Sequence, residues 1–152
     1  VGETGGKDFV IAHESANPDV VATALLRGAF EYQGQKCSAA SRAYLPSNLA
    51  PQILEKLAEG VKSFNMGPVD DFGNFVNAVI DEKSFDNIMS YIDKAKADPD
   101  VEVLVGGNGD KSEGFFVEPT VLVTKNPQSL TMCEEIFGPV LTIYVYDAQD
   151  WE

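Results

Sequence analysis

The sequence has few cysteines and a single histidine. Its 152 residues include 2 cysteines, Cys37 and Cys133, which lie far apart and form no Cys-x-x-Cys pair. A dithiol redox motif and a cysteine-rich zinc site are therefore not supported. A cysteine–histidine hydrolase would have to use His13, whose position after a short apolar run favours an ordinary structural or surface role. Sparse cysteine fits a reducing compartment.

Basic residues and long apolar runs are also scarce. The 11 Lys and Arg residues are outnumbered by 24 Asp and Glu residues, for a formal net charge of −13. Nucleic acid and anionic membranes are poor partners for such a chain. No apolar run reaches the ~18 residues of a membrane span, and residues 1–3 show neither a signal peptide nor an initiator methionine. We expect the chain to be part of a longer polypeptide.

The elements that are present alternate between strand and helix. Asn17 and Asp81 stand where helix N-caps belong, Pro18 suits a first helical residue, and Gly34 is the expected stop of the first helix. This order predicts one α/β domain with a mainly parallel sheet flanked by helices. Strands are predicted at residues 9–12, 42–45, 101–105, 115–118, 121–123 and 140–146, and helices at 20–32, from Ser47 through 64, and at 81–98.

Two tempting motifs have simpler explanations. The stretch from Gly106 to Ser112 is not a phosphate loop, because Asp110 separates Gly109 from Lys111, and a hairpin turn is predicted instead. The acidic helix at 81–98 mixes its carboxylates with lysines and shows no ligand spacing, so it indicates a solvated face. No metal site is predicted.

The stretch from Gly34 to Ser38 suits a nucleophile. Gly34 allows a tight turn, Lys36 adds positive charge that favours the thiolate of Cys37, and small residues follow it. A thiolate attacks carbonyl carbon. The alternative is a buried cysteine that only packs.

Two further stretches carry candidate carboxylates. Glu3 lies in a Thr-Gly-Gly turn, where it could act beside a substrate or be a solvated turn residue. The run Cys-Glu-Glu-Ile-Phe-Gly-Pro-Val, residues 133–140, places paired acids and an aromatic directly before a strand, as in a loop over a pocket.

Three motifs in this order, Glu-Thr-Gly-Gly-Lys, Gly-Gln-Lys-Cys-Ser-Ala-Ala-Ser-Arg and Glu-Glu-Ile-Phe-Gly-Pro-Val, resemble the NAD(P)-dependent aldehyde dehydrogenase superfamily. The connecting segments are similar to members that oxidise glutamate γ-semialdehyde in proline catabolism. The resemblance implies that Cys37 forms a thiohemiacetal and then a thioester, and that Glu3 activates the water that hydrolyses it. It also implies that NAD is held by Glu135 at the nicotinamide ribose, by Phe137, and by the backbone near Thr4.

The same resemblance implies what else belongs to the enzyme. Residues 1–152 correspond to its nucleophile-bearing catalytic domain, and a dinucleotide-binding domain and a C-terminal segment are absent. Ser38, with help from Lys36, is expected to bind the carboxylate of a small aldehyde substrate. A homo-oligomer in the mitochondrial matrix is expected, while the chain alone should be inactive. The alternatives are an aldehyde dehydrogenase of another substrate class and a folded non-catalytic module.

Overall fold

The computed structural model describes the chain except for residues 1, 3 and 152. Glu3, the predicted general base, therefore lies outside the described residues. The strands are β1 (Asp8–Ile11), β2 (Ala40–Pro46), β3 (Val101–Val105), β4 (Gly109–Asp110), β5 (Phe116–Val117), β6 (Thr120–Thr124) and β7 (Val140–Tyr146). The helices are α1 (Pro18–Phe30), α2 (Ala50–Lys62), α3 (Glu82–Ala97) and the single turn α4 (Leu130–Cys133).

Five strands form one sheet in the order β1-β2-β7-β6-β3. The pairs β1–β2, β2–β7 and β6–β7 are parallel, and only β3 runs antiparallel to its neighbour β6. The prediction of an α/β fold with a mainly parallel sheet is confirmed. Because β1, β2 and β7 are parallel neighbours, the segments that precede these three strands lie side by side at the amino ends of the strands.

Successive residues of the central strands point to opposite faces, and each face has its own apolar core. Leu141 and Ile143 of β7 join the core beneath α1 and α2, which also contains Leu25 and Ile53. Val140, the strand's first residue, belongs instead to the core beneath α3, with Ile88, Ile92 and Leu122. The sheet is thus covered by α1 and α2 on one face and in part by α3 on the other.

Both predicted N-caps are confirmed. The side chain of Asn17 accepts hydrogen bonds from the N–H groups of Asp19 and Val20, and Asp81 accepts one from Ser84. These caps satisfy N–H groups that have no partner within the helix. The glycine-rich stretch leads into the β4–β5 hairpin, whose loop begins at Lys111 and overlaps the predicted hairpin turn. The ammonium of Lys111 lies 3.0 Å from the carboxylate of Glu82 and 2.9 Å from that of Asp86.

The predicted end of the first helix is wrong. The helix was expected to reach Tyr32 and stop at Gly34, but α1 ends at Phe30, and Glu31 has an extended ψ of 133°. A tight turn follows in which Tyr32 and Gln33 adopt left-handed φ values of 54° and 56°. Helical periodicity cannot reveal this turn, because buried Gln33 is held by a distant carbonyl, that of Ala78, at 3.3 Å.

One part of the sheet remains open. On the edge strand β1, Phe9 is 55% exposed and Ile11 is 50% exposed. The ring of Phe9 contacts Tyr44 edge-on and the guanidinium of Arg42, both on the neighbouring strand β2. Exposed apolar surface of this kind commonly marks a place where other protein packs. None of the described helices combines the length and apolar character that crossing a membrane requires.

Candidate active site

The predicted site residues that the structure describes lie at the amino ends of three parallel strands. Residues 4–7 lead into β1, residues 35–39 lead into β2, and residues 134–139 lead into β7. These segments are far apart in sequence but adjacent in space, since β2 lies between β1 and β7. The structure thus brings the described residues of the three motifs together at one end of these strands.

The glycine turn before β1 lies between Cys37 and Glu135. The N–H of Gly6 donates a hydrogen bond to Oε1 of Glu135. Gly5 has a φ of 98°, and a Cβ atom there would stand 2.7 Å from the same carboxylate oxygen. A Cβ atom on Gly6 would overlap the carbonyl oxygen of Cys37. Both glycines are therefore required for the cysteine and the carboxylate to approach this closely.

The segment that carries Cys37 is shaped by the turn after α1. Gly34, with a φ of 65°, packs so closely on the carbonyl of Gly138 that any side chain would overlap it. The chain then makes a second turn, in which the N–H of Ala39 donates to the carbonyl of Lys36 at 3.1 Å. Cys37 is half-buried and Ser38 is exposed. The cysteine is therefore not an inaccessible packing residue.

Lys36 points back toward the end of α1. Its ammonium lies 3.2 Å from Oε2 of Glu31, whose other oxygen accepts a hydrogen bond from Arg27. Lys36, which has the larger effect, and Arg27 lower the pKa of the Glu31 carboxyl below its ordinary value. The charge of Lys36 is thus largely balanced locally, and its action on a substrate remains a prediction.

The loop before β7 is anchored from α3. Tyr91 donates its hydroxyl to Oε2 of Glu134 at 2.6 Å, and this bond raises the pKa of the Tyr91 phenol. Glu135, the next residue, is exposed on the Gly6 side. Phe137 has a left-handed φ of 60° and is half-buried. It lines an open groove of about 310 Å³ together with Tyr32, Gln35 and Ile80.

Lys7 is a charged neighbour that the sequence reasoning missed. Its Nζ atom is buried and has no hydrogen-bond partner among the described residues. Burial, aided by the charge of Arg42, lowers the pKa of Lys7 to about 8, while Cys133 and Glu135 act in the opposite direction. Lysines are rarely buried, so the residue type gave no reason to expect this burial. The one indication in the sequence that Lys7 belongs to the site was its position next to the Gly-Gly pair.

His13 lies away from this site. It follows the carboxyl end of β1, whereas Cys37 precedes the amino end of the parallel strand β2. Its Nδ1 is 2.8 Å from the hydroxyl of Ser15, and its ring meets the edge of Trp151. The ordinary surface role predicted for His13 agrees with this placement, and a Cys37–His13 pair does not.

The residues present fit only one end of a dinucleotide. The carboxylate of Glu135 can accept hydrogen bonds from ribose hydroxyls, and the apolar groove beside Phe137 suits a flat ring. No glycine-rich loop enters the amino end of any helix in the described part of the chain, so the pyrophosphate finds no ready site here. Among the same residues there is no group of three His, Cys, Asp or Glu side chains able to hold a metal ion.

The structure is that of an α/β domain with an accessible cysteine beside a glycine turn and a carboxylate loop. The chain belongs to the aldehyde dehydrogenase family, whose sequence profile matches residues 1–151.

Two relatives that match nearly all of the chain carry the same protein name. The chain is 60% identical over its full length to the mitochondrial delta-1-pyrroline-5-carboxylate dehydrogenase of Dictyostelium discoideum, and 50% identical over 95% of its length to the human protein of that name. The chain spans 27% and 26% of these two relatives.

Solved structures agree. A crystal structure of delta-pyrroline-5-carboxylate dehydrogenase from Mycobacterium tuberculosis, bound with NAD and cobalamin, superposes with a TM-score of 0.91 at 46% identity. The match covers 98% of this chain and 27% of that one. The 1-pyrroline-5-carboxylate dehydrogenase from Thermus with bound NAD gives a TM-score of 0.88 at 34% identity, over 95% of this chain and 28% of its own.

Proposed function

We propose that this chain is the nucleophile-bearing catalytic domain of a longer enzyme that oxidises glutamate γ-semialdehyde to glutamate with NAD, in proline catabolism. The observation that carries the proposal is the Gly5–Gly6 turn, which joins Cys37 to Glu135 at the amino ends of parallel strands. The identity of the chain to delta-1-pyrroline-5-carboxylate dehydrogenases supports the choice of substrate.

In the proposed reaction the sulfur of Cys37 attacks the aldehyde carbon, and the carbonyl oxygen becomes an oxyanion. The backbone N–H of Cys37 donates to that oxyanion. NAD, when bound, supplies the hydride acceptor that converts the thiohemiacetal to a thioester. Glu3 removes a proton from water, whose oxygen attacks the thioester carbon, releasing the carboxylate product and restoring the cysteine.

The described residues would hold the nicotinamide end of the cofactor. Glu135 would accept from the ribose hydroxyls, Phe137 would pack near the ring, and the backbone near Thr4 would approach the carboxamide. Thr4 and Glu135 are exposed, and both are therefore accessible to a ligand. We propose that a separate dinucleotide-binding domain of the full-length polypeptide holds the remaining part, since phosphates lack a site here.

Ser38 is the proposed contact for the substrate's remote carboxylate. Its exposed hydroxyl directly follows Cys37 and is a hydrogen-bond donor, whereas Lys36 could add only a field weakened by Glu31. The proposed partners are this small aldehyde and further copies of the enzyme in a homo-oligomer. The names of the eukaryotic relatives support a mitochondrial location, for which we propose the matrix.

The deciding experiment measures NADH formation by the full-length polypeptide on glutamate γ-semialdehyde, hexanal and betaine aldehyde. We expect kcat/KM to be at least about tenfold higher for the semialdehyde, as one hydrogen bond to a charged group provides. A preference for either other aldehyde would assign a different substrate class. If no aldehyde is oxidised and Cys37 resists alkylation, the chain is a non-catalytic module.

A further inference from the structure

The loop that carries Glu135 packs against α3. This loop, residues 134–139, joins α4 to β7. Ile136 is buried in the apolar core beneath α3, where Ile88 also lies. A Cβ atom on Gly138 would stand 2.5 Å from the Cδ1 atom of Ile88, so the backbone of the loop lies directly against the helix. Apolar packing on α3 therefore fixes the later part of the loop.

Tyr91 attaches the first residue of the loop to the same helix. It lies three residues after Ile88 and thus on the same face of α3. Its hydroxyl donates to Oε2 of Glu134 at 2.6 Å, and a short hydrogen bond to a carboxylate is stronger than one between neutral groups. The ammonium of Lys94 lies 5.2 Å from the centre of the Tyr91 ring. This contact with a cation helps to keep the ring, and with it the hydroxyl, in one orientation.

Glu134 and Glu135 are adjacent in sequence but bind different partners. Glu134 accepts from Tyr91 on α3, whereas Glu135 accepts from the N–H of Gly6 in the turn before β1. Both glutamates are exposed, so burial does not fix their side chains. Hydrogen bonds from surrounding residues are what hold such a side chain in one geometry. The position of Glu135 therefore depends on the bond that restrains its neighbour.

We propose that Tyr91 is a positioning residue for the cofactor. By binding Glu134, its hydroxyl holds the loop so that the Glu135 carboxylate stays at the Gly6 N–H, ready to accept hydrogen bonds from the nicotinamide ribose. This role rests on the proposed function, because it takes Glu135 as the ribose ligand. Without the hydroxyl the loop would sample more positions, and part of the binding free energy of NAD would be spent on ordering it.

NAD affinity, measured by calorimetry in the full-length polypeptide, tests this role. Tyr91→Phe removes only the hydroxyl and should weaken NAD binding about tenfold. The matched control is Tyr144→Phe, at a half-buried tyrosine toward the carboxyl end of β7 and away from the site, which should bind NAD as the wild type does. Unchanged affinity in Tyr91→Phe, or an equal loss in the control, would overturn the proposal.

Two substitutions at Glu134 separate the hydrogen bond from general packing. Glu134→Gln keeps an acceptor oxygen and should lose no more than about twofold in NAD affinity, whereas Glu134→Ala should match Tyr91→Phe. Combining Tyr91→Phe with Glu134→Ala should weaken binding by no more than about a further twofold. Losses that multiply, or an amide as damaging as alanine, would contradict a role through this bond.

The defect should be confined to the cofactor. In Tyr91→Phe the KM for NAD should rise about tenfold, while the rate at which iodoacetamide alkylates Cys37 should stay within about twofold of the wild type. The hydroxyl acts on the loop that carries Glu135 and leaves the sulfur unchanged. A tenfold change in the alkylation rate would indicate a general loss of structure and would overturn the positioning role.

A last measurement does not need NAD. Hydrogen exchange of the Gly6 amide, followed by mass spectrometry of overlapping peptides from the full-length polypeptide, should be about fivefold faster in Tyr91→Phe than in Tyr144→Phe. Equal rates would overturn the proposal even if NAD binding falls. Failure of the wild-type enzyme to bind NAD, with Gly6 exchange still dependent on Tyr91, would overturn the proposed function but not the link from Tyr91 to Glu135.

Discussion

Around α3, the residues adopt the backbone conformations and burial that their types favour. At the amino ends of β1, β2 and β7, several residues do not. The helix has its Asp81 cap, buries Ile88 and Ile92 completely, and places Lys111 between two carboxylates. At the amino ends of β1, β2 and β7, Gln33 and Phe137 have left-handed backbone, and the buried Nζ atom of Lys7 has no hydrogen-bond partner among the residues that the structure describes.

Such departures each cost free energy and persist only where the surrounding structure holds them. Here they all lie within the segments that surround Cys37 and Glu135. We therefore expect α3 to contribute more to the free energy of unfolding than the segments around Cys37 and Glu135, where strained conformations are kept for the arrangement of the site. The following predictions separate these two contributions, by measuring activity in the full-length enzyme and unfolding in the chain.

The largest expected effect is on activity, from a substitution that barely changes packing. Cys37→Ser should lower kcat for NADH formation by at least about 10⁴-fold, because the proposed nucleophile is lost. The free energy of unfolding should change by less than about 1 kcal/mol. Cys133→Ser is the control, since this exposed cysteine has no assigned chemical role, and it should retain activity within a few-fold. Equal losses in both variants would contradict the assignment of Cys37.

Glu3→Gln should separate the two halves of the reaction. Rapid-mixing experiments should show an NADH burst of about one equivalent per site, followed by turnover that is about 10²- to 10⁴-fold slower than in the wild type. In the proposed mechanism the thioester still forms in this variant, but its hydrolysis lacks the base. Glu14→Gln, at an exposed glutamate beyond β1, should give normal turnover. Loss of the burst itself would show that Glu3 is needed to activate Cys37.

A substitution in α3 should change the free energy of unfolding. Ile92 is fully buried between α3 and the sheet, so Ile92→Ala should lower the free energy of unfolding by about 2–5 kcal/mol in urea denaturation of the chain. Asn87→Ala, at an exposed position of the same helix, should remain within about 0.5 kcal/mol of the wild type. A loss below about 1 kcal/mol for Ile92→Ala would mean that α3 contributes little to stability.

The smallest expected effect distinguishes substrates. Ser38→Ala should lower kcat/KM for glutamate γ-semialdehyde by about 10- to 150-fold, the range expected for one hydrogen bond to a charged group. Hexanal, which has no carboxylate, is the matched control and should be oxidised at the wild-type rate. A similar loss on both substrates would show that Ser38 serves the chemistry or the packing instead.

Much of the fold could be predicted because its signals are local. The caps Asn17 and Asp81, the periodicity of α3, and the boundaries of β3 and β7 are encoded in residues close together in the chain. Strands and helices in alternation then favour a parallel sheet. The family motifs could be found in the same way, since each is one continuous stretch.

Only the tertiary structure decided how those stretches meet. The bond between Gly6 and Glu135 joins residues 129 positions apart, and strand order, not sequence spacing, makes them neighbours. The pKa of Lys7 depends on burial and on charged groups from β2, α4 and the loop before β7. The turn that follows the early end of α1 is held by a carbonyl 45 residues beyond Gln33. Local composition determines which elements form, whereas burial, strain and the pKa of Lys7 arise from contacts between elements that sequence distance does not reveal.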